Sequence, residues 1–270
     1  MSAKHYENFP VASLALPRKY RRPVGLIYAF ARQADDFADE GELPDQARLS
    51  LLDGFRQELA RIGSGEMPES PLFAELSVII AHHSLPLKPL NDLLDAFSQD
   101  VRKKRYANFC EVLAYCEKSA NPVGRLLLAL YGFDSEESRA LSDKICTSLQ
   151  LINFLQDVSI DYHRLGRIYL PRDEMQSCGI DEESIAMGKT GQAWSNFMML
   201  QGNRARKMML EGAPLARIMK GRISFEMKMI IQGGLAILDK LEKVEWDVYK
   251  KRPKLEKADW VLLLLRALYG

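Results

Sequence analysis

The sequence predicts an all-α protein, on three observations. Apolar residues recur with the 3.6-residue period of a helix almost throughout, while stretches alternating with period two are scarce. No internal repeat, low-complexity tract or long linker divides the chain, so residues 1–270 are expected to form one domain. Apolar residues make up 47% of the total, enough for a substantial core.

In chain order, helices are expected at about 17–40, 45–62, 71–83, 87–104, 108–119, 122–131, 135–164, 190–219, 221–248 and 258–268. Pro17 stands where the first can start, "GSGEMPESP" (63–71) reads as a loop, and Asn121-Pro122 restarts a helix after Ala120. In "FDSEES" (133–138), Asp134 or Ser135 offers an N-cap, followed by acids in the first turn.

Composition narrows the function classes. Lys plus Arg (37) nearly balances Asp plus Glu (36), and a chain without a basic excess is not expected to bind nucleic acid. Cys110, Cys116, Cys146 and Cys178 contain no C-x-x-C pair, so reduced, mostly buried thiols in a cytoplasmic protein are expected. "MSAKHYENFPVAS" at the start has no long apolar run, so no secretory signal or anchor is expected. The tail "ADWVLLLLRALYG" is interrupted by Arg266 and is short of the ~20 residues that span a bilayer.

Two polar rows stand out against these helices. "YAFARQADDFADE" (28–40) carries Asp35, Asp36, Asp39 and Glu40 directly after an apolar run. Tyr28, Arg32, Asp35 and Asp39, at spacings of 4, 3 and 4, form one stripe, with Asp36 at its side. In "LQLINFLQDVSIDYHRLGRIYLP" (149–171), Asn153, Asp157 and Asp161 fall within about 80° of one another on a helix. Gln150 and Gln156 flank that stripe. A single acidic cluster is commonly a solvated face or a helix cap. Two matched rows in apolar sequence must instead be hydrogen-bonded or bind something, because bare buried carboxylates are very costly.

Two facing helices with such rows can build a metal site in a bundle interior. Neither row contains His or Cys, which disfavours zinc. Oxygen-only ligands suit magnesium or manganese, and magnesium typically joins one or two carboxylates to a substrate phosphate. The chain has no glycine-rich phosphate loop and no dinucleotide fingerprint. A phosphate would therefore be held by metal and basic side chains.

The same residues resemble the squalene/phytoene synthase family. "YAFARQADDFAD" is similar to its first aspartate-rich motif, in which an Arg precedes D-D-x-x-D by three; here these are Arg32, Asp35, Asp36 and Asp39. "QLINFLQDVSIDY…GRIYLP" is similar to the second, through Gln150, Asn153, Asp157 and Asp161. The likeness runs from about Asn8 to beyond Pro253. It implies a single-domain, type I isoprenoid-synthase helical bundle with a central cavity, in which Mg²⁺ clamps a prenyl diphosphate between the rows. It also implies that the diphosphate leaves and that apolar walls steer the resulting cation. "ENFPVAS" (7–13), "SANPVGR", "NFLQDV" and "IQGGLAILDKLE" resemble the hydroxysqualene synthase branch of hopanoid pathways. That likeness implies presqualene diphosphate as substrate, water as the capturing nucleophile, and no NADPH.

The resemblance gives each candidate a role. Arg32 would contact diphosphate, with Arg167 and Tyr169 closing over it, and Tyr28 would turn its ring to the cation. Phe9 would line the cavity; Tyr115, Lys118 and Gln150 would contact substrate, Lys118 by adding positive charge. Gln156 stands where the family has an Arg, and its amide could orient the capturing water. Five also have a plainer reading: neutralising the acid row for Arg32, core packing for Tyr28 and Phe9, a surface lysine for Lys118, a neutral placeholder for Gln156. Lys103, Lys104, Arg105 and "YKKRPK" (249–254) are basic patches, usually solvated, with anionic lipid headgroups or the diphosphate as alternative partners. Peripheral membrane contact and partner enzymes of the pathway stay open. The rival readings are a synthase condensing two prenyl diphosphates to presqualene diphosphate, squalene or phytoene, and a non-catalytic member of the same fold.

Overall fold

A computed structural model describes residues 16–250 and 252–269; Phe9 and the rest of "ENFPVAS" lie outside them. Helices α1 (Arg18–Asp39), α2 (Asp45–Ser64), α3 (Pro71–His83) and α4 (Lys88–Arg102) form the first half of the bundle. Phe30 of α1, Phe55 of α2 and Phe73 of α3 meet there with ring centroids 4.7–5.8 Å apart. Such aromatic contacts bury large apolar areas in a defined geometry.

Helices α5 (Phe109–Ser119) and α6 (Asn121–Tyr131) lead to the longest element, α7 (Glu136–Leu165). Of the two residues expected to cap α7, Ser135 does so: its hydroxyl accepts from Ser138 N at 3.1 Å. Glu136 and Glu137 in the first turn and His163 and Arg164 in the last complement the helix dipole. Gly166 ends the helix at φ 65°, in the left-handed conformation that glycine adopts without strain.

Where the structure departs from periodicity, the backbone explains it. The strand β1 (Arg105–Tyr106) pairs in parallel with β2 (Ile168–Pro171), so the end of the helix expected to 104 is extended chain. The helix expected over 190–219 is broken into α10 (Gln192–Gly212) and α11 (Leu215–Ile218), because Pro214 has no N–H to continue the ladder. Two short helices, α8 (Arg172–Ser177) and α9 (Glu182–Ala186), precede α10 and fall outside the helices expected from periodicity. Helix α12 (Gly221–Lys243) stops short of 248, since Glu245 and Trp246 take φ of 51° and 62°. Trp194 Nε1 donates to Trp246 O at 3.0 Å and fixes that turn. The chain then crosses back over α7 and ends in α13 (Lys257–Tyr269), which packs on α12 through Met229, Leu263 and Ala267.

The four cysteines are free, with Cys116 buried and Cys110 exposed. No helix among the described residues is long and apolar enough to cross a membrane. The turn after α12 depends on a close approach: a Cβ added at Gly202 of α10 would collide with the Trp246 ring. Gly202→Ala is therefore expected to lower unfolding free energy by about 1–3 kcal/mol, the usual cost of overpacking, as measured by denaturant titration. An unchanged midpoint would mean that the ring moves aside freely.

Candidate active site

The C-terminal turns of α1 and α7 bring the two rows together. On α1, Arg32 reaches Asp36 at 2.6 Å, Glu40 at 3.4 Å and Asp35 at 3.5 Å. The left-handed turn at Gly166 sends the chain into β2 and aims Arg167 at the first row. Arg167 is buried; its Nη2 lies 2.6 Å from Asp39 Oδ1, and its Nε donates to the backbone carbonyl of Asp100 at 3.1 Å. Arg164 approaches Glu40 at 3.6 Å and joins the same two helix ends.

Beneath this contact lies a network that the sequence reading missed. Asp100 of α4 is buried, and its carboxylate accepts from Tyr169 Oη at 2.8 Å and Tyr115 Oη at 2.5 Å. Its backbone carbonyl also accepts from Lys104 Nζ at 2.7 Å. The two rings it holds join Phe154 and Tyr106 in a continuous aromatic wall. Phe154 stacks on Tyr169 at 4.2 Å, Tyr115 lies 5.3 Å from Tyr169, and Tyr106 lies 5.6 Å from both tyrosines.

The charges of the rows act on one another. Burial pushes the Asp35 carboxyl up to about 7, helped by Asp39 and opposed by Arg32. Asp35 still keeps 37% of its side-chain surface accessible, so it is crowded yet within reach of a ligand. Asp161 is raised well above the usual carboxylate range, first by burial, then by Asp157, with Arg167 opposing and Asp39 adding to the rise. A carboxylate of α7 therefore feels one of α1. Asp100 is held up to about 6 by burial, which outweighs Arg167 and the two phenols. For Arg167, burial acts downward, but Tyr169, Asp100 and Asp39 prevail and raise it.

These residues fit a hard divalent cation. The donor set is oxygen-only, its members repel one another, and a cation relieves both burial and repulsion. Asp36 Oδ1 and Asp39 Oδ1 are buried and lack an aligned hydrogen-bond donor, although guanidinium nitrogens lie 2.6 Å away. Among the described residues no three carboxylates surround one point. Magnesium bound here would take part of its shell from phosphate oxygens and water, as is usual for it.

The other candidates fall in different places. Tyr28 is half-buried on α1, one turn before Arg32. Gln150 is half-buried and Asn153 exposed on α7, on the approach to Asp157. Lys118 does not join the rows: its ammonium pairs with Asp95 at 2.9 Å, beside Arg56, on the far face of α4 and α5. Gln156 lies about 100° around the helix from Asp157. Its buried amide donates to Pro253 O at 2.6 Å, on the chain that returns from α12.

Several described cations of the basic patches are engaged within the chain. Lys103 pairs with Glu111 at 2.8 Å, Arg105 with Glu182 at 2.7 Å, and Lys250 with Asp247 at 2.6 Å. Arg252 makes a forked pair with Asp157, with Nη2 to Oδ2 at 3.0 Å. A cleft of about 290 Å³ beside β1 and β2 is lined by Arg105, Tyr106, Ile168 and Glu182, and by none of the aspartates of the rows. It is therefore separate from the candidate site.

Known proteins share this fold. The chain is 37% identical over 225 residues to the hydroxysqualene synthase of Rhodopseudomonas palustris, covering 83% of this chain and 75% of that protein. The crystal structure of squalene synthase HpnC from Alicyclobacillus acidocaldarius superposes with a TM-score of 0.83 at 36% identity, over 90% of each chain. A dehydrosqualene synthase in complex with ligand, 22% identical, shares the fold with a TM-score of 0.82 over 94% of this chain and 88% of that one. The architecture is thus the all-α, single-domain bundle of class I isoprenoid synthases. The squalene/phytoene synthase family model matches residues 2–259, and the chain belongs to that family of enzymes acting on prenyl diphosphates.

Proposed function

We propose that the chain is a Mg²⁺-dependent isoprenoid synthase that takes presqualene diphosphate to hydroxysqualene and diphosphate. Mn²⁺ would serve in place of Mg²⁺, and NADPH is not required. The observation that carries this reading is the meeting of two carboxylate rows at Arg167, with Asp39 of one row raising Asp161 of the other. A divalent cation held by Asp35, Asp36 and Asp39 on one side and Asn153, Asp157 and Asp161 on the other would neutralise the leaving diphosphate.

The chain's own residues supply the rest. Arg32 and Arg167 hold fixed positive charge at the rows, where a diphosphate needs it. Phe154 and Tyr169, with Leu151 and Leu155, border a small apolar pocket, where their rings would attract a carbocation without capturing it. The phenols of Tyr115 and Tyr169 donate to Asp100, so their protons are committed away from the apolar wall. In the reaction the C–O bond to diphosphate breaks and its electron pair leaves with the diphosphate. A water oxygen forms the new C–O bond and releases a proton to solvent. The likeness to hydroxysqualene synthase supports this outcome. A cytoplasmic location with peripheral membrane contact belongs to the same proposal, because the product is a hydrocarbon alcohol.

The likeness to a solved squalene synthase over nine-tenths of the chain favours a second reading, condensation of two prenyl diphosphates. The two separate in one experiment. The protein is incubated with Mg²⁺ and either presqualene diphosphate or farnesyl diphosphate, with and without NADPH, and the products are identified. Hydroxysqualene from presqualene diphosphate alone supports the first reading. Presqualene diphosphate, squalene or another condensation product from farnesyl diphosphate establishes the second. Turnover of neither would favour a non-catalytic member of the family.

A further inference from the structure

The segment after α12 does more than connect it to α13. Arg252 and Pro253 lie across α7, held at two adjacent residues of that helix. Arg252 places its guanidinium on both oxygens of Asp157, through Nε to Oδ1 and Nη2 to Oδ2. Gln156 donates to Pro253 O at 2.6 Å, and Pro253 is buried. Both members of the ion pair are about three-quarters shielded, with side-chain exposures of 26% and 23%. The Asp157 pair raises Arg252 above its ordinary value, against burial, and Asp161 adds to the rise. Upstream the strap is anchored by Trp246 and by Tyr249, whose ring lies 5.4 Å from Trp194.

We propose that Arg252 is an exchangeable internal counter-cation for Asp157, and that a divalent cation entering the second row must displace it. This rests on the reading of the two rows as a divalent-cation site. A forked guanidinium takes the syn lone pair of each carboxylate oxygen, the pair of sites that a chelating cation uses. Cation and guanidinium therefore compete for the same oxygens, and Arg252 sets how tightly the second row holds its metal. Linkage makes the effect reciprocal: a cation at Asp157 loosens the strap by as much as the strap weakens the cation. The Gln156–Pro253 hydrogen bond does not involve Asp157, so it keeps the strap near α7 while the guanidinium is displaced.

Mn²⁺ serves as the probe, without diphosphate, with the free ion followed by electron paramagnetic resonance in wild type, Arg252→Gln, Arg252→Lys and Asp157→Asn. Removing a charge-assisted forked pair should tighten Mn²⁺ in Arg252→Gln by about tenfold. Arg252→Lys, which keeps the charge and loses the fork, should fall between it and wild type. Asp157→Asn should bind more weakly than all three. If Arg252→Gln binds Mn²⁺ like wild type or more weakly, while Asp157→Asn loses affinity, the exchange is wrong and the metal site stands. If wild type and Asp157→Asn bind Mn²⁺ equally poorly, the metal reading of the row falls and the exchange falls with it.

A second measurement needs no variant. Phenylglyoxal modification of Arg252 in the wild-type protein, read by mass spectrometry, should accelerate by several-fold on adding Mn²⁺, as the linkage requires. Unchanged or slower modification at a saturating concentration would overturn the proposal.

Discussion

Asp35→Asn is expected to lower turnover by about a thousandfold, equivalent to ~4 kcal/mol of transition-state stabilisation, while thermal stability stays level or rises. The two effects have opposite causes at one carboxylate. Its charge is held at a crowded position beside Asp39 and Asp36, where burial and repulsion push its carboxyl up to about 7. An amide of the same shape removes that unfavourable charge from the folded protein and also removes a ligand from the cation that would offset it. Asp157→Asn should lose turnover to a similar extent, but with a different stability signature. The structure pairs Asp157 with Arg252. The asparagine variant leaves a half-buried guanidinium with a weaker partner, at a cost of roughly 1 kcal/mol after allowing for partial exposure. Steady-state rates with saturating Mg²⁺ and thermal melts of the two variants check both halves. Near-normal turnover in either variant would remove that residue from the metal set.

The contrast between these two aspartates shows what sequence reasoning can and cannot reach. The rows were legible because helical spacing is a local property: i, i+4 and i+8 share a face whatever surrounds them. Arg167 and Tyr169 were reachable only through their place after the second row, since nothing in "GRIYLP" says that a left-handed glycine will turn the arginine onto Asp39. Asp100 left a fainter mark. It follows Leu93, Ala96 and Phe97 on the apolar face of α4, and an acid in that register must find buried donors. Its phenol partners, 15 and 69 residues away, could not be read from that helix. Arg252 gave no signal of its own. In "YKKRPK" it looks like any solvated cation, and its pairing with a residue 95 positions away is a product of chain return. The helix ends missed at Gly212 and Lys243 have a similar origin, because apolar periodicity runs on through a proline or a left-handed turn that the backbone cannot follow.

Asp100→Asn tests the network that supports the site, and pH is the variable that identifies it. The folded carboxyl titrates near 6, above the ordinary 3.8, because burial outweighs Arg167 and the two phenols. Between those values the native state holds the proton more tightly than the unfolded chain. The contribution of Asp100 to stability is therefore fully present below about pH 4 and is lost as pH rises through about 6. A shift of this size corresponds to about 3 kcal/mol across that window. The difference in unfolding free energy between wild type and Asp100→Asn should fall by an amount of that order from pH 4 to 7, then level off. Other carboxylates titrate in the same range; taking the difference between the two proteins removes those that do not feel Asp100, while Asp35 and Asp161, which its charge raises, ease downward in the variant. The asparagine can still accept from one phenol, but it meets the other with an N–H group, so Tyr115 and Tyr169 cannot both keep their present bonds. Arg167 keeps its bond to the main-chain carbonyl and loses the neighbouring negative charge, leaving Asp39 as its anionic contact. At neutral pH, kcat should drop by ten- to a hundredfold with a smaller change in KM, because the aromatic wall and Arg167 are misplaced while the aspartate rows remain. A flat stability difference across pH 4–7, or wild-type kcat, would show that Asp100 merely fills space and that Tyr169 and Arg167 are held by other contacts.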